Sequence, residues 1–216
     1  EIGDKRAMGA SYTNVGSIYQ YQGNYENALE FYEKSLKITE EIGDKEGIGS
    51  CYNNIGIIYA DQGNYEKALQ YYENRLKIAK EIGDKKGIGS TYSNIGIIYQ
   101  DQGNYENALE FYQKSLKIKE EIGDKKGMGY SLNHIGTIYN NQGNSEKALW
   151  YHERSLKISE EIGDKRGMGD FYKIIGILYK NQGNDEKALN YLLKSKKIKE
   201  EINVITDLDE TAKALM

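Results

Sequence analysis

A forty-residue repeat, present five times in succession, is the feature that most constrains the fold of this chain. The segment that begins at Gly43 agrees with the segment that begins at Gly83 at 28 of 40 positions, without insertion or deletion. The register holds from Glu1 to Ile202, so equivalent residues recur at Gly16, Gly56, Gly96, Gly136 and Gly176. A fixed period in this range is typical of solenoids, in which each unit buries its apolar face only against its neighbours.

Composition and charge exclude several other classes of protein. The longest apolar stretches are a few residues long, against the ~18 that a membrane span needs, and no signal segment opens the chain. The net charge of −4 argues against a nucleic-acid-binding surface, which is basic. Cys51 is the only cysteine, so no internal disulfide can form. We therefore expect a cytoplasmic protein with no membrane or nucleic-acid partner.

Each period contains the start and stop signals of two helices. In the second repeat, Asp44 is placed to cap a helix that runs to about Gln62, where Gly63 supplies a left-handed residue. Asn64 then caps a second helix that runs to about Ile82. Short turns between such helices make neighbours antiparallel, and the predicted fold is an all-α, right-handed α-α superhelix of five repeats. The helix pairs are expected at about residues 4–42, 44–82, 84–122, 124–162 and 164–202.

Two glycines in the first turns of the first helices are unexpected. Gly47 and Gly49 recur in later repeats, although a glycine inside a helix costs about 1 kcal/mol relative to alanine. Two explanations are open: the backbone approaches the preceding repeat closely at these positions, or the first turn is frayed.

The two ends depart from the repeat. Glu1 to Asp4 match the end of a repeat, so the first helix is expected to start with an uncovered apolar face, through which self-association is conceivable. At the other end the repeat pattern stops at Asn203, which stands where the pattern predicts a glycine. Residues 203–216 keep a helical spacing of apolar residues, and are predicted to be either a capping helix or a linker.

The apolar spacing within a repeat matches a known pattern, W-x2-L-G-x2-Y…A-x3-F, with tyrosine in place of the leading tryptophan. In the second repeat the pattern is carried by Tyr52, Ile55, Gly56, Tyr59, Ala68 and Tyr72. The chain thus resembles tetratricopeptide repeat arrays over residues 1 to about 202. It is most similar to the extended, forty-residue type of the LGN/Pins adaptors, and to microbial arrays that accompany signalling domains. The resemblance implies a protein-binding fold without identifying the partner.

In the family that the chain resembles, the first helices line a concave groove, which implies where a partner would bind. The expected groove residues are Thr13, Asn14, Ser17, Asn53, Asn54, Ile57, Ser93, Asn94, Ile97, Tyr130, Asn133, His134, Thr137, Asp170, Lys173 and Lys180. A ladder of Asn14, Asn54 and Asn94 can hydrogen-bond an extended peptide backbone, because an amide both donates and accepts. The alternative is that these asparagines bond between adjacent helices and have a structural role.

Chaperone-binding members of the family clamp a terminal carboxylate with lysine and arginine side chains of their first helices. The matching positions here are Thr13, Ser17, Ser90 and Asn94, none of which is cationic. A clamp of that kind is therefore not expected.

Signals of catalysis are missing from the sequence. His134 and His152 fall on different helices, and a single cysteine does not complete a metal site. We expect no enzyme, no cofactor and no metal. The predicted function is that of a scaffold that binds an extended or helical segment of another protein in its concave groove. The alternative is a regulatory or oligomerisation module of a larger signalling protein, which self-associates through its exposed repeat ends.

Overall fold

In the computed structural model, the described part of the chain covers the backbone of residues 2–214 and the side chains of residues 3–203. Every secondary-structure element in this part is an α-helix, which confirms the predicted all-α class. The helices are α1 (Ile2–Tyr21), α2 (Tyr25–Glu41), α3 (Lys45–Asp61), α4 (Tyr65–Glu81), α5 (Lys85–Asp101), α6 (Tyr105–Glu121), α7 (Lys125–Asn141), α8 (Ser145–Ile162), α9 (Lys165–Asn181) and α10 (Asp185–Ala214).

The predicted capping signals are confirmed. Asp44 Oδ1 accepts a hydrogen bond from the Gly47 N–H at 3.2 Å, and α3 begins directly after it. Asn64 Oδ1 accepts from the Lys67 N–H at 3.3 Å and starts α4. Gly63, like the other glycines that follow a helix, has a positive φ, here 73°, which a residue with a Cβ rarely adopts.

Both terminal helices are longer than the repeat pattern predicts. The first helix begins at Ile2 and not near Asp4. At the other end, α10 does not stop at Ile202 but continues to Ala214, because Asn203 replaces the glycine that ends the other second helices. The side chains of residues 204–216 lie outside the described part, so the choice between a cap and a linker stays a prediction.

The chain divides into two compact units, Glu1–Ile118 and Lys119–Met216, and the division falls within α6. In the first unit, each helix pair packs a buried tyrosine of its second helix against the glycine of its first. A Cβ built on Gly56 would lie 2.7 Å from Cε1 of Tyr72, and one built on Gly16 would lie 2.7 Å from Cε1 of Tyr32. The glycine is therefore required for the helices to approach this closely.

The other aromatic residues of the repeat pattern pack as the spacing predicts. The Tyr59 ring stacks on Tyr71 of the partner helix at 5.6 Å between centroids, and Tyr52 lies 6.0 Å from the same ring. The same arrangement recurs in the second unit, where Tyr179 stacks on Tyr191 at 5.5 Å. Each unit is thus a stack of helix pairs with a core that runs along the stack.

Close approach to the preceding repeat, and not fraying, explains the first glycine of each pair. A Cβ on Gly47 would overlap Thr39 of the preceding repeat, and one on Gly167 would lie 2.8 Å from Oγ of Ser159. At the second glycine of the pair, the backbone carbonyl accepts a hydrogen bond from a serine of the partner helix. These bonds run from Ser35 to Gly9 at 2.8 Å, from Ser115 to Gly89 at 2.8 Å and from Ser195 to Gly169 at 2.7 Å.

Candidate protein-binding surface

In the first unit, the expected groove residues lie on the first helices of three successive repeats, α1, α3 and α5. Asn14 is exposed, and Asn53, Asn54 and Asn94 are half-buried. Their equivalent positions in the repeat place them on the same face of each helix. Polar side chains with both donor and acceptor atoms therefore recur along one side of this unit.

The amides of α3 and α5 form a short hydrogen-bonded chain. Asn94 Nδ2 donates to Asn53 Oδ1 at 3.2 Å, across the repeat boundary, and Asn53 Nδ2 donates to Asn54 Oδ1 at 3.3 Å. Among the described residues, Nδ2 of Asn54 and Oδ1 of Asn94 have no hydrogen-bond partner. One donor and one acceptor thus remain available to a partner. The bond from Asn94 to Asn53 is of the kind expected if the asparagines have a structural role between repeats.

The hydroxyl residues of the same face bond to the second helices. Thr13 Oγ1 and Ser35 Oγ lie 2.8 Å apart, and Ser93 Oγ lies 2.8 Å from Ser115 Oγ. Ser17 lies 3.1 Å from the hydroxyl of Tyr32. These hydroxyls therefore contribute to packing within a repeat as well as to the surface.

Two isoleucines, Ile57 and Ile97, form an apolar stripe beside the amides. Ile57 packs against the core cluster around Tyr72, whereas Ile97 is exposed. An exposed isoleucine next to unpaired amide atoms offers an apolar contact and a hydrogen-bonding contact within one surface.

The second unit changes this surface. Asn133 Oδ1 accepts a hydrogen bond of 2.9 Å from Nδ1 of the buried His152, so this amide oxygen is used within the core. Burial lowers the pKa of His152 to about 4. Burial, aided by the nearby charge of Lys119, also lowers the pKa of His134 to about 4. Both imidazoles are therefore neutral at pH 7.

The other expected residues of the second unit are more exposed. Lys173 and Lys180 are exposed on α9, and Asp170 pairs with Lys199 of α10 at 3.4 Å. Tyr130 contacts the ring of Phe171 edge-on, at 6.4 Å between centroids. Thr137 Oγ1 donates to the backbone carbonyl of Asn133 at 3.0 Å. The first helices here present charged and aromatic groups in place of the amide chain.

A pocket of about 420 Å³ lies between the second and third repeats, and sequence reasoning missed its main residue. Arg75 of α4 enters this pocket and pairs with Asp84 at 2.5 Å between Nη2 and Oδ2. The signal was present in the sequence, since Arg75 stands where the other repeats have serine. The lining residues are Ser50, Asn53, Asn54, Arg75, Asp84, Lys86, Gly87 and Ser90.

Two further observations concern the described part of the chain. None of its helices combines the length and the apolar content that crossing a lipid bilayer requires. Among the same residues, no group of three or more histidine, cysteine or acidic side chains is placed to hold a metal ion.

Comparison with known families gives one match. The model described as tetratricopeptide repeat matches residues 7–81, 87–161 and 127–201, which together cover most of the chain. No curated protein sequence matches significantly.

Solved structures give many matches, three of which are as follows. BtubC (BKLC) from P. vanneervenii is similar with a TM-score of 0.80 and 22% identity, over 92% of this chain and 82% of that one. A signal transduction ATPase with numerous domains and a tetratricopeptide repeat sensor, from Pyrococcus horikoshii, has a TM-score of 0.75 and 26% identity. It is matched over 95% of this chain but only 31% of its own length. Aspartyl phosphate phosphatase F from Bacillus subtilis has a TM-score of 0.71 and 17% identity, over 90% of this chain and 60% of that one.

Proposed function

Because the chain belongs to the tetratricopeptide repeat family, we propose that it is a non-catalytic scaffold that holds a segment of another protein against its first helices. Repeat solenoids in general offer long surfaces for protein partners. The observation that carries the proposal is the pair of unpaired amide atoms, Nδ2 of Asn54 and Oδ1 of Asn94, on neighbouring helices.

A peptide backbone is the chemistry that fits this pair. Each peptide unit offers one carbonyl that accepts and one N–H that donates, and Asn54 and Asn94 offer the complementary atoms. A single bond of this kind contributes only about 0.5–1.5 kcal/mol, so affinity would come from several contacts, including the exposed Ile97. An extended segment could use the two amides in succession, and a helical one would rely more on the apolar stripe.

The test is affinity capture from the native cell lysate, followed by mass spectrometry. The double variant Asn54→Arg/Asn94→Arg puts two long cations on the proposed surface and should abolish capture while far-UV circular dichroism stays unchanged. The matched control is Asn27→Arg/Asn107→Arg, which adds the same charge at positions where other repeats already carry Lys67, Lys147 and Lys187. The control should retain the partner. Equal capture by both double variants would exclude the amide surface.

A second candidate function is self-association through α1, and the exposure of one residue favours it. Ile18 is 57% exposed, whereas its equivalents Ile58 and Ile98 are fully buried against the preceding repeat. A second copy that packed on this face would bury it. Light scattering at increasing concentration should then show a rising mass, and Ile18→Lys should remove the rise. A constant monomeric mass would exclude this candidate.

A further inference from the structure

Arg75 is the largest departure from the repeat on the proposed binding surface of the first unit. The equivalent residue is serine in the other four repeats, where Ser35, Ser115 and Ser195 donate to the carbonyl of a glycine. Arg75 instead lies in a slot that two glycines leave open. Its Nη1 would lie 2.8 Å from a Cβ on Gly49, and its Nη2 would overlap a Cβ on Gly87.

A second substitution in the same repeat accompanies Arg75. At the first junction, Arg6 pairs with Asp44, the residue that caps α3, at 3.0 Å. The residue equivalent to Arg6 in the second repeat is Glu46, which cannot pair with Asp84. Arg75, which lies on α4, pairs with Asp84 in place of a cation at position 46. Burial alone would raise the pKa of Asp84, but the Gly87 N–H and the Arg75 guanidinium outweigh it and hold that pKa below its usual value.

This exchange changes the charge and the donors of the pocket. Arg75 and Lys86 supply two positive charges to its lining and Asp84 supplies one negative charge, which leaves an excess of one positive charge. The Arg75 side chain is only 12% exposed, and its Nη1 is buried with no hydrogen-bond partner among the described residues. Unpaired buried donors of a charged group are rare, because they lose water without gaining a bond.

We propose that the pocket between the second and third repeats is a subsite for an acidic side chain, Asp or Glu, of the partner segment. The carboxylate would accept from Lys86 and, after a small rotation of the guanidinium, from Arg75, and Ser90 and the free amide of Asn54 supply further donors. Guanidinium groups suit carboxylates because their N–H groups match the two oxygens.

The pocket at the first junction is the internal reference. It is lined by Arg6, Thr13, Asn14, Ser35 and Asp44 among others, and measures about 210 Å³. Its one arginine is matched by its one aspartate, so it has no excess charge. The pocket at the second to third junction is thus larger and positively charged, whereas the equivalent pocket at the first junction is smaller and has no net charge. Acid selectivity is expected only at the second to third junction.

This inference deepens the proposed function and rests on it, and a matched variant separates the two. Glu46→Arg with Arg75→Ser gives this junction the arginine–aspartate pair of the first junction: the arginine introduced at position 46 pairs with Asp84, and the serine donates to the carbonyl of Gly49. The pocket loses the buried guanidinium of Arg75 and keeps Lys86, whose equivalent at the first junction is Glu46. Both introduced residues occur at these positions in other repeats, so folding should be unaffected. The variant also raises the net charge by one, so a loss of acid binding cannot result from weaker long-range attraction.

The experiment selects a library of random 12-residue peptides on the wild-type chain and measures binding of the enriched peptides by fluorescence anisotropy. Enriched peptides should share an Asp or Glu, and its replacement by Asn or Gln should weaken binding at least tenfold. The Glu46→Arg/Arg75→Ser variant should lose most of this acid preference, because only Lys86 remains to bind the carboxylate. Equal binding of both peptides by the wild type, or an undiminished acid preference in the variant, would overturn the subsite.

A library that yields no binder would count against the proposed function, and the pocket is then tested alone. Glutarate, titrated into ¹⁵N-labelled protein, should shift the side-chain amide signals of Asn53 and Asn54 saturably in the wild type, and with clearly weaker affinity in the variant. The neutral glutaramide should shift neither. If glutarate gives no saturable shift, the pocket is not a carboxylate site, and Arg75 serves only to pair with Asp84.

Discussion

At the position that packs against the repeat glycine, the first unit has tyrosine in all three repeats, whereas the second has His152 and Leu192. Both kinds of side chain fill the space that the glycine leaves, since a Cβ on Gly136 would lie 2.9 Å from the His152 ring and one on Gly176 would lie 2.9 Å from Leu192. Their polar atoms differ, however. The Tyr32 hydroxyl donates to Gln20 at 2.8 Å, and that of Tyr112 donates to Gln100 at 2.9 Å.

The asparagine that lies beside this core position also bonds differently in the two units. His152 cannot reach the position of a tyrosine hydroxyl, and bonds instead to the Asn133 amide oxygen on the first helix. In the first unit the equivalent oxygen, Oδ1 of Asn53, accepts from Asn94 of the next repeat. In the second unit the residue equivalent to Asn94 is Ile174, which has no donor, and the Asn133 oxygen accepts from His152 instead.

The largest expected effect comes from removal of a tyrosine in the first unit. Tyr72→Ala should lower the free energy of unfolding by about 3–5 kcal/mol, because it empties a fully packed site opposite Gly56, which has no side chain to fill it. Urea unfolding followed by circular dichroism measures the loss. Tyr21→Ala is the control, since Tyr21 is almost fully exposed and its removal should change stability by less than about 0.5 kcal/mol. A loss below about 1 kcal/mol for Tyr72→Ala would contradict the packing argument.

The second prediction concerns the pH dependence of stability, which the buried His152 should make steeper in the second unit. The folded pKa of His152 is about 4 and the ordinary value is 6.5, so between these values the unfolded chain binds the additional proton. The stabilisation is complete above about pH 6.5 and is lost progressively as the pH falls towards 4. Between pH 7 and pH 5 we expect a loss of about 2 kcal/mol from this residue. His134 acts in the same direction.

The measurement is urea unfolding followed by the fluorescence of Trp150, the only tryptophan, which lies in the second unit. His152→Tyr introduces the residue that the first unit uses and should reduce the acid loss by about 2 kcal/mol relative to the wild type. Carboxylates titrate in both proteins, so the difference between their losses of stability at acid pH reports on His152 alone. An equal pH dependence of the two proteins would show that burial does not hold His152 neutral.

The repeat pattern predicts most of the fold because its signals are local. Asp44 and Asn64 cap helices three residues away, and Gly63 needs only its own backbone conformation to end one. The tetratricopeptide spacing likewise places Gly56 opposite Tyr72, since both belong to one helix pair. Each of these predictions depends on residues within a single period.

The candidate surface was less predictable, because its details depend on contacts between periods. The bond from Asn94 to Asn53 joins two repeats, and the pairing of Arg75 with Asp84 depends on the loss of a cation at Glu46. The exchange itself is visible in the sequence, because Glu46 and Arg75 both depart from the other repeats. Its consequence is not, because the partner of Arg75 belongs to the next period.

A smaller effect tests the paired glycines in the two units. Gly129→Ala should stabilise the fold by about 0.5–1 kcal/mol, because the nearest atoms to its Cβ lie at 3.8 Å and alanine favours a helix. Gly49→Ala should show no such gain, since Nη1 of the buried Arg75 lies 2.8 Å from the new Cβ. Thermal unfolding of the two variants gives the comparison. A gain of equal size at both positions would mean that Arg75 moves aside at little cost.

The smallest effect on stability is expected at Trp150, which occupies a position where the first unit carries Glu30, Gln70 and Glu110. Glu30 pairs with Lys34 at 2.6 Å, whereas the exposed Trp150 ring lies 4.6 Å from the guanidinium carbon of Arg154. Trp150→Glu would exchange an exposed cation–π contact for an ion pair one helical turn apart. These interactions contribute similar amounts, so the free energy of unfolding should change by less than about 0.5 kcal/mol, as measured by circular dichroism. A loss above 1 kcal/mol would show that the ring stabilises the second unit, and that the two units differ there in packing as well as in surface.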